Sequence, residues 1–577
     1  MQSFHPDQLD NLNKSDMSDE TIEQVDIYTD MPPREINNEG VFNLSAMNQQ
    51  TIDEIREAVN KKVEAERAQF APEKPPHDMD TDTESEPTTG QELTDAEILS
   101  AITRNEDGDA ELYVKRWRGR FCYDHAAGQW HKWAGHHWEQ DTVEAALAGI
   151  KTIIDLLATQ AMKHRWLATK ATKEGDDKAA EEHDALAGMF NKRIKALRAM
   201  KRKTPVLHLA RAGADSLGIS GDQWDSKPML LPVQNGVIDL KTGELHDGRP
   251  EDYLKAFAPV AWEGINAPCP CWENFLETTF DSDFELIEFI ARLFGYCITG
   301  TTREAVLPIF YGPGRNGKTV MLEVIAHVLG PDLSGPLESE FLLEQRFAKP
   351  SGGPSSDKLY LRGRRLTWLS ETNENRRLNS GKVKLLTGGD MITGRAPYGK
   401  MQISFRPTHK IFLLTNHKPK ADARDMALWR RVLLIPFTMA FVPNPDPAKS
   451  NERLADPNLT EKLKDEASGI LAWLVRGCLA WQKEGLNPPA SVMAATKDYQ
   501  ESEDTIKTFI AEKCIEGAMR SCRAAALYKA YKEWQEGNGE KAMTGTKFGK
   551  IISESYDSTR DEGGKLYIGL ELCANQS

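Results

Sequence analysis

The sequence predicts an α/β protein with a nucleotide-binding core, and three observations carry that prediction. A glycine-rich octet, Gly312-Pro313-Gly314-Arg315-Asn316-Gly317-Lys318-Thr319, sits between an apolar run, "AVLPIFY", and an amphipathic run, "TVMLEVIAHVL". From about 300 to 440, short apolar strands alternate with helical patterns, as in layered α/β domains. At 577 residues the chain exceeds what one compact core organises, so flanking domains are expected on both sides.

Residues 1–92 carry 22 acidic and 7 basic side chains, a net of −15, which is the net charge of the whole chain. The remainder is balanced at 65 of each sign, so the acidic total says nothing against a nucleic-acid partner for the body. "APEKPPHDMDTDTESEPTTGQ" (71–91) has too little apolar surface to fold and reads as linker, and the leader as a whole as disordered. Within it, Ile52, Ile55, Val59 and Val63 recur at helical spacing and predict one helix or docking segment over 51–70.

Residues 93–283 form the next predicted unit. Aromatic runs punctuated by Gly128 and Gly135 predict short antiparallel strands over 93–140. Residues 142–203 read helical and end in the basic stretch "NKRIKALRAMKRK". "LLPVQNGVIDLKTGEL" (230–245) alternates apolar runs with Asn-Gly and Thr-Gly turns. The predicted core spans 284–456 and opens on the amphipathic helix "FELIEFIARLFGYCITG". A helical connector follows at 457–501, broken at Pro488-Pro489, and then a small unit at 502–577. In that unit two helices around a glycine-rich turn precede the alternating strand "GKLYIGLEL", a winged-helix-like order.

Eight scattered cysteines lack the spacing of a disulfide framework, and Cys269-Pro270-Cys271 lacks the further ligands of a zinc site, so free thiols are expected. No run approaches the ~20 consecutive apolar residues of a membrane span, and the N-terminus has no signal-peptide core. The expectation is a cytoplasmic protein without a membrane partner.

The octet matches G-x-x-x-x-G-K-[ST] in its required strand–loop–helix setting. Backbone amides freed by Gly312, Gly314 and Gly317, with Asn316 beside them, converge on phosphate oxygens at a helix N-terminus. Lys318 is expected to reach the β- and γ-phosphates of ATP, and Thr319 to ligate Mg²⁺. An acid at the end of a neighbouring strand must complete the site. "LTWLSE" supplies Glu371, with Glu374 as second choice. "KIFLLTN" ends in Asn416, whose amide would orient the attacking water. "WRRVLLIPF" places Arg430 and Arg431 before a fourth strand, as candidates for an arginine finger. "KVKLLTGGDMITGRAPYGKMQISFRPTHK" predicts a helix end and a hairpin. Lys384, Arg395 and Lys400 on it, with Tyr398, suit sequence-independent contact with single-stranded DNA. Lys547 and Lys550, on the second helix of the C-terminal unit, are the other DNA candidates.

Taken in order, "GPGRNGKT", "LTWLSETNE", "KLLTGGDMITGR", "FRPTHKIFLLTNHKP" and "DMALWRRVLLIPF" resemble the superfamily III helicases. The branch most similar is the phage and plasmid primase C-terminal family, which includes the poxvirus helicase-primase. Asn316 before Gly-Lys, and "TGGD" followed by an arginine, are its markers. The resemblance runs from about 105 to 570. It implies an AAA+-like P-loop ATPase core in a ring, a homo-hexamer, that unwinds DNA in phage or plasmid replication and acts on single-stranded and forked DNA. It also implies Lys318 and Thr319 as the Walker A pair, Glu371 as the Walker B acid, Asn416 as the sensor, and Arg430 or Arg431 as a finger acting on the neighbouring subunit. The sequence departs from the pattern where Thr372 follows Glu371 in place of a second acid. The acidic leader shows no clustered carboxylates on strands, so primase activity is not expected of it, and a separate primase or polymerase would be a partner. The alternative is a replication-initiation or loading ATPase that binds DNA without processive unwinding.

Overall fold

The computed structural model describes residues 93–344, 356–371, 376–395, 402–540 and 542–573. The leader, with its predicted helix over 51–70, lies outside the described residues, as do Glu374, Tyr398 and Lys400.

The described residues open with two helices where short strands were expected. Helix α1 (Asp95–Ile102) starts at a capping box, in which Thr94 Oγ1 accepts from Glu97 N–H at 3.3 Å and the Glu97 carboxylate accepts from Thr94 N–H at 2.9 Å. Helix α2 (Asn105–Trp117) packs so closely on it that a Cβ at Gly108 would lie 1.8 Å from the Ala101 carbonyl oxygen. Period-3.6 burial of Ile98, Ala101, Leu112 and Tyr113 overrode the aromatic texture on which the strand reading rested.

The expected strands do form over 121–140: β1 (Phe121–Asp124), β2 (Gln129–Trp133) and β3 (Trp138–Gln140) are an antiparallel meander. The long helices α3 (Ile150–Glu174) and α4 (Asp177–Leu197) follow as a hairpin turned at Gly175, whose φ of 79° suits glycine. By length and composition, Ala145–Glu174 could cross a membrane, yet 44% of its most apolar window is buried in this hairpin. Helix α5 (Met200–Ala210) completes the bundle. In the basic stretch, Arg193 bonds Asp109 at 2.7 Å and Arg202 bonds Asp109 at 2.7 Å, so these two guanidinium groups are consumed inside the domain. Strand β4 (Gly218–Ile219) then returns to pair parallel with β1.

The predicted strand-and-turn segment is a second meander: β5 (Leu230–Val233), β6 (Gly236–Asp239) and β7 (Glu244–His246). Asn235 ties it to the following chain, its amide donating to and accepting from the Trp262 backbone at 3.0 and 2.8 Å. Helix α6 (Pro270–Thr279) and helix α7 (Phe284–Cys297) enter the largest core.

The central sheet contains β8 (Leu307–Tyr311), β9 (Ser334–Pro336), β10 (Leu366–Glu371), and two strands still to come in the chain. Helix α8 (Lys318–Leu333) joins β8 to β9 and breaks at Gly330 (φ 73°) before Pro331. Helix α9 (Ser380–Thr387) leads to a hairpin of β11 (Ile392–Gly394) and β12 (Ile403–Phe405). Strand β13 (Lys410–Thr415), the short helix α10 (Met426–Trp429) and β14 (Val432–Pro436) complete the sheet. Its order is β14-β8-β13-β10-β9, with every pairing parallel. Buried on both faces, these strands read as continuous apolar runs.

A short parallel pair, β15 (Ala440–Val442) and β16 (Glu452–Leu454), follows. Helix α11 (Ala467–Glu484), expected to be part of a connector, belongs to the main core: Ile470, Leu474 and Trp481 are buried there. It crosses α7 at glycines, because a Cβ at Gly477 would lie 2.1 Å from the Ala291 oxygen and one at Gly295 2.1 Å from the Cys478 nitrogen. Helix α12 (Ala490–Ser502) starts after Pro488-Pro489 and packs on β14. The C-terminal unit is α13 (Thr505–Lys513), β17 (Cys514–Arg523), α14 (Ala524–Gly537), α15 (Gly545–Ser555), β18 (Ser558–Asp561) and β19 (Gly564–Leu572). Its sheet order is β17-β19-β18 around a core of Phe509, Tyr531, Phe548 and Tyr567. The single strand read from the sequence is thus one of three. Periodicity hides β17, whose residues are mostly exposed.

All eight cysteines are free, and among the described residues no group of three His, Cys, Asp or Glu is placed to hold a metal ion.

Candidate active site

Parallel register brings the sequence-predicted residues to one edge of the sheet. Pro436, Tyr311, Thr415 and Glu371 are consecutive partners across β14, β8, β13 and β10, and so form one row at the strand C-termini. Gly312 and Asn416 are the next residues beyond that row. This is where loops of parallel α/β sheets bind ligands. One expectation needs correction: β10 is not the neighbour of β8, because β13 lies between them. At about 4.8 Å per strand, the Glu371 backbone lies about 10 Å from the end of β8. Glu371 therefore faces the octet across the space beside Asn416.

The octet is fixed from below. Gly312 N–H donates to the Thr415 carbonyl at 3.3 Å, and Phe441 N–H donates to the Arg315 carbonyl at 2.7 Å. A Cβ at Gly312 would lie 2.2 Å from the Phe437 carbonyl oxygen, so no other residue fits there. Asn316 is buried and donates to that same Phe437 carbonyl at 3.4 Å. Gly317 takes φ 86° as the N-cap of α8, against Phe275 and Thr279 of α6. Gly314 has open space around it, and Thr319 is exposed at the first turn of α8.

Lys318 is only 5% exposed. Its Nζ donates to the carbonyls of Gly312 at 2.5 Å and Pro313 at 3.4 Å and to Asn416 Oδ1 at 3.3 Å. All three acceptors are neutral. Burial without a carboxylate partner lowers its pKa to about 8. A desolvated ammonium held only by neutral oxygens, at a helix N-terminus beside open space, suits an anion such as a polyphosphate. Asn416 itself is exposed.

Glu371 is 4% exposed. A residue the sequence reading passed over stands next to it: Arg376, with Nε 3.9 Å from Glu371 Oε2 and a second nitrogen 3.7 Å from Glu340. An arginine five residues after a strand-end acid is a signal too common to single out by spacing. Lys418, with its ammonium 5.2 Å from the Tyr311 ring centroid, is another cation at this edge.

Arg430 and Arg431 are not brought to this edge. They precede β14, whose first residue pairs with Leu307, so they lie at the opposite end of the sheet, about 13 Å away along β8. Arg431 donates to the Ala427 carbonyl at 2.6 Å, whereas Arg430 is exposed and its guanidinium has no partner among the described residues.

Of the DNA candidates, Lys384 donates to Asp425 at 2.9 Å and Lys547 to Asp422 at 3.2 Å. Lys550 is exposed. Arg395 follows the first hairpin strand, and Lys400 lies outside the described residues.

Residues 110–281 match the family described as "D5 N terminal like". The chain is 29% identical over 449 residues to "Putative helicase L207/L206" of Acanthamoeba polyphaga mimivirus, covering 74% of this chain and 45% of that protein. It is 27% identical over 329 residues to "Putative primase C962R" of African swine fever virus, covering 54% of this chain and 34% of that protein. The chain thus spans less than half the length of these curated relatives. The solved apo C-terminal region of NrS-1 matches at 12% identity and a TM-score of 0.36, over 60% of this chain and 83% of that one, a likeness too loose for any argument about fold. Residues 110–281 are a D5 N-terminal-like segment, and with these viral relatives they make the chain similar to the D5-like helicase-primases.

Proposed function

We propose that the protein is an ATP-driven DNA helicase with an AAA+-like P-loop core, working inside the cell on single-stranded and forked DNA. The observation that carries this reading is the convergence of Lys318, Asn416 and Glu371 at one edge of a parallel sheet, with a second strand inserted between the octet strand and the acid strand. The octet amides and Lys318 would hold the triphosphate of ATP. Thr319 and Glu371 would hold Mg²⁺, which neutralises developing charge when bound. Asn416, bonded to Lys318, would orient a water, and Glu371 would accept its proton.

The position of Arg430 supports a shared site. At the far end of the sheet it cannot reach its own Lys318, and its exposed guanidinium suits the site of a neighbouring copy in a ring, a homo-hexamer on this reading. The β11–β12 hairpin, with Arg395 directly after its first strand, would touch the strand in the central channel, and Lys400, outside the described residues, would share that contact. The C-terminal unit is read as winged-helix-like, with Lys550 on its exposed face. A separate primase or polymerase is the expected partner.

The test is displacement of a labelled strand by the full chain. Lys318→Ala is expected to abolish both ATP hydrolysis and displacement, and Glu371→Gln to abolish hydrolysis while keeping nucleotide binding. ATP hydrolysis stimulated by DNA, without displacement on any fork, would refute the helicase in favour of the loading ATPase.

A further inference from the structure

Glu371, the last residue of β10, is buried, and a carboxylate removed from water is costly unless donors or cations stand close to it. Two cations at this edge are placed elsewhere. Lys318 is spent on the neutral oxygens of Gly312, Pro313 and Asn416, and the Lys418 ammonium stands over two rings, 5.2 Å from the Tyr311 centroid and 5.7 Å from that of Tyr499. The cation paired with Glu371 among the described residues is Arg376, whose Nε lies 3.9 Å from Glu371 Oε2. Its Nη2 lies 3.7 Å from Glu340 Oε1. Both distances exceed the ~2.7–2.9 Å of a charge-assisted hydrogen bond, so one guanidinium spans two carboxylates and a shift of about 1 Å closes either contact. Glu340 follows β9, the edge strand three places from the octet strand, so these two contacts draw the guanidinium to the side of Glu371 away from the octet.

The backbone that carries Arg376 is fixed on both sides. Lys420 N–H donates to the Arg376 carbonyl at 2.7 Å, Leu378 N–H to the Lys420 carbonyl at 2.9 Å, and Glu344 N–H to the Arg377 carbonyl at 2.8 Å. Leu378 is buried in one core with Leu369 of β10 and Leu413 of β13. Asn379 caps α9 by accepting from Lys382 N–H at 3.0 Å, and its own N–H donates to the Leu342 carbonyl at 2.8 Å. Glu340 belongs to the same network, because Lys382 Nζ donates to its carbonyl at 2.6 Å. With its backbone held this way, the planar fork of Arg376 presents N–H groups in a fixed direction, which the point charge of a lysine does not.

We infer that Arg376 is a positioning residue for Glu371: it holds one carboxylate oxygen so that the other meets the attacking water, and it acts without touching the nucleotide. The inference rests on the ATPase reading above, and its test separates the two. ATP hydrolysis by the full chain is measured beside its affinity for a fluorescent ATP analogue. Arg376→Ala is expected to lower kcat about 10- to 100-fold, as loss of a group that orients a reacting side chain does, and to leave the affinity unchanged. Arg376→Lys is expected to restore part of kcat through its charge, and Glu340→Gln to lower kcat by less than Arg376→Ala does. The urea midpoint supplies a readout apart from hydrolysis: the shifts caused by Arg376→Ala and Glu371→Gln should be non-additive, since each removes the same contact. If Arg376→Ala keeps full kcat while Glu371→Gln abolishes hydrolysis, the positioning role is overturned and the ATPase reading stands. Affinity that falls in step with kcat also overturns it, by placing Arg376 on the nucleotide or in the fold alone, and so do additive midpoint shifts. If Glu371→Gln hydrolyses ATP as the unmodified chain does, the ATPase reading falls and the inference falls with it.

Discussion

If the octet holds ATP as proposed, the buried ammonium of Lys318 makes nucleotide affinity depend on pH in a range where ordinary lysines are silent. In the free protein its pKa is about 8, because burial removes water and supplies only neutral acceptors. A bound polyphosphate restores the cost of desolvation with negative charge and lifts that pKa back toward the usual lysine range. Linkage then fixes the sign: above pH 8 binding must first re-protonate the amine, so affinity falls as pH rises. From pH 7.5 to 9.5 the expected loss is roughly 20-fold, the ratio of the protonation factors for a free pKa near 8 and a bound pKa above 10. The range avoids titration of the terminal phosphate. The assay is equilibrium binding of a fluorescent ATP analogue, with Lys318→Arg as control, since a guanidinium does not titrate there. A flat wild-type profile up to pH 9.5, or one that matches the arginine variant in slope, would refute the assignment of a neutral cage around Lys318.

Three further outcomes are expected. Gly477→Ala forces a Cβ to within 2.1 Å of the Ala291 carbonyl oxygen, so α7 and α11 must separate, and the urea midpoint should fall by the equivalent of about 1–3 kcal/mol; an unchanged midpoint would show that the crossing is looser than drawn. Three ion pairs fasten the C-terminal unit to residues 420–424, namely Lys420–Glu540, Arg424–Glu554 and Lys547–Asp422. Each exposed pair is worth about 0–1 kcal/mol, so Asp422→Lys should speed hydrogen exchange over 505–573 modestly and only at low salt, and adding Lys547→Asp should reverse it. His409 is buried, with Nε2 donating to the Leu386 carbonyl at 3.1 Å and Nδ1 without a partner, and burial lowers its pKa to about 4. Its unfolded pKa is near 6.5, so stability is full above that value and declines as pH falls toward 4, by at most about 3 kcal/mol. His131 shifts in the same direction, and thermal melting between pH 7 and 4 reads the sum.

The sequence by itself determined whatever depends on neighbours in the chain. The octet, its flanking strand and helix, the Asn-Gly and Thr-Gly turns of the second meander and the hairpin strands at 392–394 and 403–405 are local patterns, legible because period, glycine and turn chemistry act over a few residues. The capping box at Thr94 was equally local and still went unread, because the aromatic runs beyond it drew the strand reading too far forward. Tertiary structure alone decided the rest. That β13 lies between the octet strand and the Glu371 strand follows from pairing across more than forty residues, which no local pattern encodes. That Arg376 stands beside Glu371, that Lys384 and Lys547 are held by Asp425 and Asp422, and that Arg430 lies at the end of the sheet opposite Lys318 follow from where strand ends meet. Residue type states what a side chain can do; the parallel register, set by burial on both faces of the sheet, decides which of those side chains share one edge.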